Sequence, residues 1–177
     1  MSRKPSKILI MHGWQADSGS NWFPEAKVFL EKKGFEVFVP DNTGGYSPKL
    51  SEWLGRIEQN KPDENWILIG HSLGGVTILK YLEKTNMPVA QTILLATPIN
   101  EMKFTPLKNF FEQGFDWEKI KQNGGKINLI YELDDQVVPL EHGHILAGKL
   151  SAPLTVVPGA IHICRMNVEI IGDIIDE

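Results

Sequence analysis

Apolar residues gather into six short runs along the chain: Lys7 to Met11, Glu36 to Val39, Trp66 to Ile69, Thr92 to Leu95, Ile127 to Tyr131 and Leu154 to Val157. Several are apolar at consecutive rather than alternate positions, which suits strands of a parallel sheet covered on both faces. Between them the pattern changes to the helical period. Ala26, Phe29 and Leu30 recur at helical spacing, Pro24 and Glu25 fit a first turn, Asn21 is placed to cap that helix and Gly34 to end it. Similar patterns predict helices over Pro48 to Gln59, Leu73 to Lys84, Asp116 to Lys121, Leu140 to Leu150 and from about Met166 onward. Strand and helix in alternation predict a six-stranded, mostly parallel, doubly wound α/β sheet with helices on both faces. Functional residues then belong in the loops at the carboxyl ends of the strands. One connection breaks the rhythm: Thr97 to Gly125 is long and carries Phe104, Phe110, Phe111, Phe115 and Trp117. Most of these aromatics are expected to cover the end of the core, leaving one or two to line a pocket.

Composition narrows the picture. The 177 residues fit one domain spanning 1–177, and 42% hydrophobic with 23% charged residues is globular rather than disordered usage. A net charge of −4 gives no general attraction to nucleic acid or anionic lipid, and the only basic cluster is Arg3, Lys4 and Lys7. A single cysteine, Cys164, allows no internal disulfide and no cysteine metal cluster, so a reducing compartment is expected. The run Ile8 to Met11 is too short for a signal peptide, and nothing approaches the roughly 18 apolar residues of a membrane span. A cytoplasmic location follows as the simplest expectation.

The sharpest local signal is Gly70-His71-Ser72-Leu73-Gly74, directly after one predicted strand and directly before a predicted helix. This is the G-x-S-x-G nucleophile elbow in the context it requires, a turn so tight that its flanking positions must be small. The pattern fixes only three positions and also arises in plain strand-to-helix turns, so its companions matter. A serine hydroxyl needs a base to take its proton and a carboxylate to hold that base. In the chain order Ser, acid, His, the fifth strand runs into Glu132-Leu133-Asp134-Asp135, and the sixth into Pro158-Gly159-Ala160-Ile161-His162. Of the five histidines, His162 alone follows the last strand. His142 and His144 open a helix and read as solvated, and with only Glu141 nearby they do not make a metal site. Asp134 and Asp135 both remain candidates, since either can instead cap the turn.

Two backbone N–H groups complete the set. Leu73, first in the helix after Ser72, has its N–H free to stabilise negative charge on a substrate oxygen. His12-Gly13-Trp14-Gln15 follows the first strand, where α/β-hydrolases supply the second donor, and the N–H of Trp14 is the candidate. Alone that dipeptide would be an ordinary glycine turn.

These residues resemble the small α/β-hydrolases related to retinoblastoma-binding protein nine, over nearly the whole chain. The resemblance rests on the early glycine loop followed by Asn21-Trp22, on Ile69-Gly70-His71-Ser72, on Phe115-Asp116-Trp117-Glu118-Lys119-Ile120 and on the Asp-Asp turn ending in Pro139. It implies a compact hydrolase without a large cap and a Ser-Asp-His triad: Ser72, Asp135 from a D-x-x-V/L-P turn completed by Val138 and Pro139, and His162. Relatives usually carry glycine just before that histidine, where this chain has Ile161. The expected activity is hydrolysis of esters or small acyl substrates, a mechanism that needs no cofactor or metal. The short chain leaves little room for a lid, so a shallow, exposed substrate pocket is expected, with Trp14 and Trp22 near its mouth and His71 beside the nucleophile. A protein-interaction role on the same scaffold is the competing expectation, since the family's name records a protein partner.

Overall fold

The computed structural model describes residues 4–177, so Arg3 of the basic cluster lies outside the described residues. In chain order the elements are β1 (Lys7–Met11), α1 (Phe23–Lys32), β2 (Glu36–Phe38), α2 (Leu50–Glu58), β3 (Trp66–His71), α3 (Leu73–Lys84) and β4 (Gln91–Leu95). Then come a 3-10 helix (Thr105–Phe110), α4 (Trp117–Asn123), β5 (Lys126–Glu132), α5 (Leu140–Leu150), β6 (Leu154–Val157) and α6 (Glu169–Asp176). The six strands form one sheet in the order β2-β1-β3-β4-β5-β6, every pairing parallel.

The pleat sorts consecutive apolar residues onto two faces. Leu9, Met11, Leu68, Leu94, Leu129 and Tyr131 pack with Leu54 and Ile57 of α2, Ile78, Leu79 and Leu82 of α3, and Leu146 of α5. Ile8, Ile10, Ile67, Ile69, Ile93 and Ile130 face the other way, against Phe23, Ala26 and Leu30 of α1 and Ile171 and Ile174 of α6. Two buried faces explain why the strands read as continuous apolar runs, and each such Ile or Leu side chain contributes roughly 1.5–3 kcal/mol by leaving water. A third, smaller cluster closes the carboxyl end, where Leu107 and Phe110 cover Trp53, Leu73 and Val76.

The chain first winds from β1 outward to β2, then crosses back over β1 to β3 and continues the other way to β6. The switch point therefore lies between β1 and β3, whose register pairs Met11 with Gly70. The residues that follow each, His12 onward and His71 onward, emerge side by side at the place where open α/β sheets hold their ligands.

The helix boundaries differ from the sequence expectation for reasons that lie outside local pattern. Asn21 does not cap α1: it is left-handed (φ 54°), and Trp22 holds the cap position without a side-chain hydrogen bond. The turn before it is organised instead by Asp17, whose Oδ1 accepts from the Gly19 N–H and the Ser20 hydroxyl. α2 begins at Leu50 because Asn109, 59 residues away, accepts the Leu50 N–H at 2.8 Å and donates to the Pro48 carbonyl. α6 begins at Glu169, whose N–H is accepted by the Asn167 side chain. No helix among the described residues is long and apolar enough to cross a membrane.

Candidate active site

Ser72 joins β3 to α3 with φ 53° and ψ −122°, a conformation that a residue with a side chain rarely adopts. Strain of this kind costs about 1–3 kcal/mol and persists only where the surroundings over-determine it. Here they do. The Ser72 N–H donates to the Leu95 carbonyl at 2.8 Å, and its own carbonyl accepts from Gly75 and Val76. A Cβ at Gly70 would lie 2.5 Å from Gly75 Cα, and one at Gly74 would run into the Met11 and His12 carbonyls. The elbow can therefore close only with glycine at both positions.

The loop after β1 lies against the serine, since a Cβ on Gly13 would stand 3.1 Å from Ser72 Cβ. His12 braces this loop: its Nε2 accepts the Asn42 N–H at 2.9 Å, so Nδ1 carries the proton donated to the Gly13 carbonyl at 2.8 Å. Burial lowers the pKa of His12 and favours this neutral tautomer. Among the described residues no hydrogen bond occupies the backbone N–H of Trp14 or of Leu73.

Asp135 stands in the turn after β5. Its Oδ1 accepts from the Val137 and Val138 N–H groups at 2.7 and 2.9 Å, and its Oδ2 lies 2.9 Å from His162 Nδ1. Burial pushes this carboxyl's pKa up, but the hydrogen bond and charge of His162 and the two backbone donors outweigh it, so the net shift is downward. An ionised carboxylate can only accept, so His162 Nδ1 is the donor and Nε2 keeps its lone pair. Asp134 is turned outward, exposed, its backbone N–H pairing with the Gly159 carbonyl.

His162 lies in a loop that is left-handed at His162 and Ile163 (φ 61° and 49°) and has a positive φ at Gly159, but not at Ile161. The bend thus falls on either side of position 161, which is why isoleucine is tolerated there. Two buried side chains hold this loop, and neither role was visible in the sequence. Glu132, 2% exposed, accepts the Ile161 N–H at 2.8 Å. The Nε2 of His71 lies 2.8 Å from the His162 carbonyl, which can only accept, so Nε2 carries the proton. Burial, reinforced by the neighbouring His162, pushes the pKa of His71 down to about 3 and keeps it neutral. The one sequence signal for Glu132 is a carboxylate ending a strand that is otherwise covered on both faces.

Ser72, His162, Trp14 and His71 share a cavity of about 220 Å³, lined also by Gly13 and Cys164. No hydrogen bond joins Ser72 to His162 among the described residues, and such contacts often tighten only when substrate binds. Trp22 does not stand at the cavity mouth as expected. It is 2% exposed, packed against Phe23 and His71 at centroid distances of 4.6 and 6.3 Å, because the start of α1 turns it into the core. His71 reaches the cavity only as a buried wall. His142 is likewise buried rather than solvated, accepting the Ile99 N–H on Nδ1, whereas His144 is exposed. Among the described residues no group of three or more His, Cys, Asp or Glu side chains could hold a metal ion.

Comparison with known proteins finds the family described as serine hydrolase matching residues 8–168. YdeN of Bacillus subtilis, described as a hydrolase, is 30% identical over 153 residues, 84% of this chain and 80% of that protein. The serine hydrolase RBBP9 of Rattus norvegicus is 26% identical over 156 residues, 85% and 83% of the two chains. The crystal structure of the B. subtilis ydeN product superposes with a TM-score of 0.89 over 97% of both chains at 27% identity. Est1E of Butyrivibrio proteoclasticus superposes with a TM-score of 0.73 over 97% of this chain and 86% of its own, at 17% identity, a likeness of fold alone. The architecture is the compact α/β-hydrolase fold, without a large cap.

Proposed function

The chain belongs to the serine hydrolase family, and from that premise we propose that Ser72 is its nucleophile, His162 the base and Asp135 the group that orients the base, acting on esters or related small acyl compounds. The observation that carries this reading is the 2.9 Å contact of His162 Nδ1 with the buried Asp135 carboxylate, in a loop that shares its cavity with Ser72.

In this reading His162 Nε2 takes the Ser72 proton as Oγ forms a bond to the acyl carbon, and the carbonyl π electrons move onto oxygen. The N–H groups of Leu73 and Trp14 receive that oxyanion, an arrangement in which each donor is worth roughly 10²–10³ in rate. The intermediate collapses, the bond to the alcohol breaks, and His162 returns the proton to the departing oxygen. Water then repeats the sequence on the acyl-enzyme and frees the acid and Ser72. Asp135 stays ionised throughout and stabilises the imidazolium that forms twice per cycle. A cavity of about 220 Å³ favours small acyl groups.

The test is labelling with a fluorescent fluorophosphonate, which reacts with an activated serine. Wild type is expected to label, and Ser72→Ala and His162→Ala to lose labelling by at least about 10³-fold. A folded wild-type protein that stays unlabelled would overturn the reading and favour a binding role on the same scaffold.

A further inference from the structure

Three connections that are distant in sequence bring aromatic rings together around Trp14, a residue that lines the cavity. Trp14 comes from the loop after β1, Tyr46 from the loop after β2 and Phe104 from the long connection after β4. The Trp14 ring packs against both of the others, its centroid 5.4 Å from Tyr46 and 5.5 Å from Phe104, at interplanar angles of 49° and 60°. Tyr46 is 65% exposed and Phe104 39% exposed, although Phe110 of the same connection is completely buried. Two large rings thus touch that of Trp14, a residue lining the cavity with Ser72, and part of their apolar surface remains in water.

The cluster is held in place rather than left loose. Trp14 Nε1 donates to the Gly45 carbonyl at 3.1 Å, tying the first loop to the second. Trp53 Nε1 donates to the Thr43 carbonyl at 2.8 Å, and Asn109 bonds both Leu50 and Pro48, tying the second loop to the third. Phe104 is presented by two successive left-handed residues, Met102 (φ 47°) and Lys103 (φ 67°). Strained backbone of this kind concentrates at ligand-contacting sites. Preformed, mostly apolar walls beside reactive groups are what small-molecule pockets are made of.

We propose that Trp14, Tyr46 and Phe104 form an aromatic platform that takes an aryl group of the substrate, so that esters carrying an aromatic ring are preferred; this rests on the reading of Ser72 as nucleophile. The preference for aryl over alkyl follows from the wall's composition. All three contributors are aromatic, and an aromatic partner in offset or edge-to-face geometry gains roughly two- to tenfold per ring pair beyond what apolar burial gives an aliphatic group.

The experiment compares two pairs of esters matched in size: benzyl acetate against cyclohexylmethyl acetate, which share the acyl group and differ in the leaving alcohol, and ethyl phenylacetate against ethyl cyclohexylacetate, which share the leaving alcohol and differ in the acyl group. Wild type is expected to favour the aromatic member of one pair by about fivefold or more in kcat/KM, and the pair affected identifies the side of the scissile bond that meets the platform. In Tyr46→Ala and Phe104→Ala the preference falls to about twofold or less through KM, Tyr46→Phe keeps it, and Met87→Ala, at an exposed position elsewhere, leaves it unchanged. In parallel, benzyl acetate is titrated into Ser72→Ala while the Trp14 indole N–H is followed by NMR. A saturable shift of that signal, lost in the added Tyr46→Ala variant, is expected. No aryl preference in either pair, or a preference that survives both alanine variants, overturns the platform. If no ester is turned over at all, the hydrolase reading fails by itself, and the indole titration decides the platform: an unmoved signal at about 20 mM ligand, the weak-binding range of small ligands, overturns it.

Discussion

The two halves of the candidate site are held by different physics. Ser72 ends a strand whose six residues are all buried and starts a helix with ten of its twelve residues buried, between neighbours on both sides. His162 follows β6, an edge strand of four residues, none of them fully buried. Its loop is fixed by polar contacts from buried side chains: Asp135 to the ring, His71 to the carbonyl and Glu132 to the preceding N–H. Ser72 is placed by close packing, His162 by hydrogen bonds. Volume changes should therefore damage one half, and loss of a single polar group the other.

The largest expected effect is on the polar half. Asp135→Asn keeps an oxygen for Val137 and Val138 but turns an NH₂ toward His162 Nδ1, which must then accept, moving the proton to the nitrogen that should take it from Ser72. Turnover is expected to fall on the order of 10⁴-fold while the unfolding midpoint moves little, as read by ester hydrolysis beside a thermal melt. Activity within tenfold of wild type would mean that the contact does not set the tautomer. For the packed half, Gly74→Ala drives a Cβ into the Met11 and His12 carbonyls and is expected to cost about 3 kcal/mol in urea unfolding. A neutral result there would break the contrast, since the elbow would have slack.

His71 gives the smallest effect at neutral pH and the most telling one in acid. Leaving the His162 carbonyl unpaired in His71→Phe should cost about 1–3 kcal/mol. In the wild type His71 is held neutral with a pKa near 3, whereas an exposed histidine titrates near 6.5. Between those values the unfolded chain binds a proton that the folded chain refuses. Stability should thus fall as pH drops below about 6.5, by up to about 1.4 kcal/mol per unit for this one group, and level off near 3. Burial lowers the pKa of His12 and His142 in the same sense, so His71→Phe should flatten the acid slope without abolishing it. Equal slopes in urea melts of wild type and variant across pH 4–7 would show that His71 does not bear the charge penalty.

Most of the sheet was legible because burial on two faces leaves a mark in every strand, and the elbow because Gly70, Ser72 and Gly74 are needed at fixed spacing. What stayed hidden depends on partners far along the chain. No periodicity announces that Asn109 caps α2, that Glu132 holds Ile161, or that His71 supports the loop carrying His162. Trp22 and Asn21 depart from the sequence expectation for a related reason: a residue at a helix start can face in or out, and Asp17 supplies the turn before α1. Asp134 and Asp135 could not be separated by spacing, because the choice depends on which carboxylate the turn tucks beneath the histidine loop.

The order in which the chain leaves the ribosome gives the edge position of β6 a further meaning. In the proposed reading the nucleophile Ser72 and its oxyanion donors lie within the first 73 residues, but the base, His162 of 177, follows β6, the last strand in chain order and an edge of the sheet. A nascent or refolding molecule can thus complete its central strands before His162 is in place. The return of reactivity during refolding should lag behind the return of secondary structure, timing the docking of the final edge rather than the formation of the core.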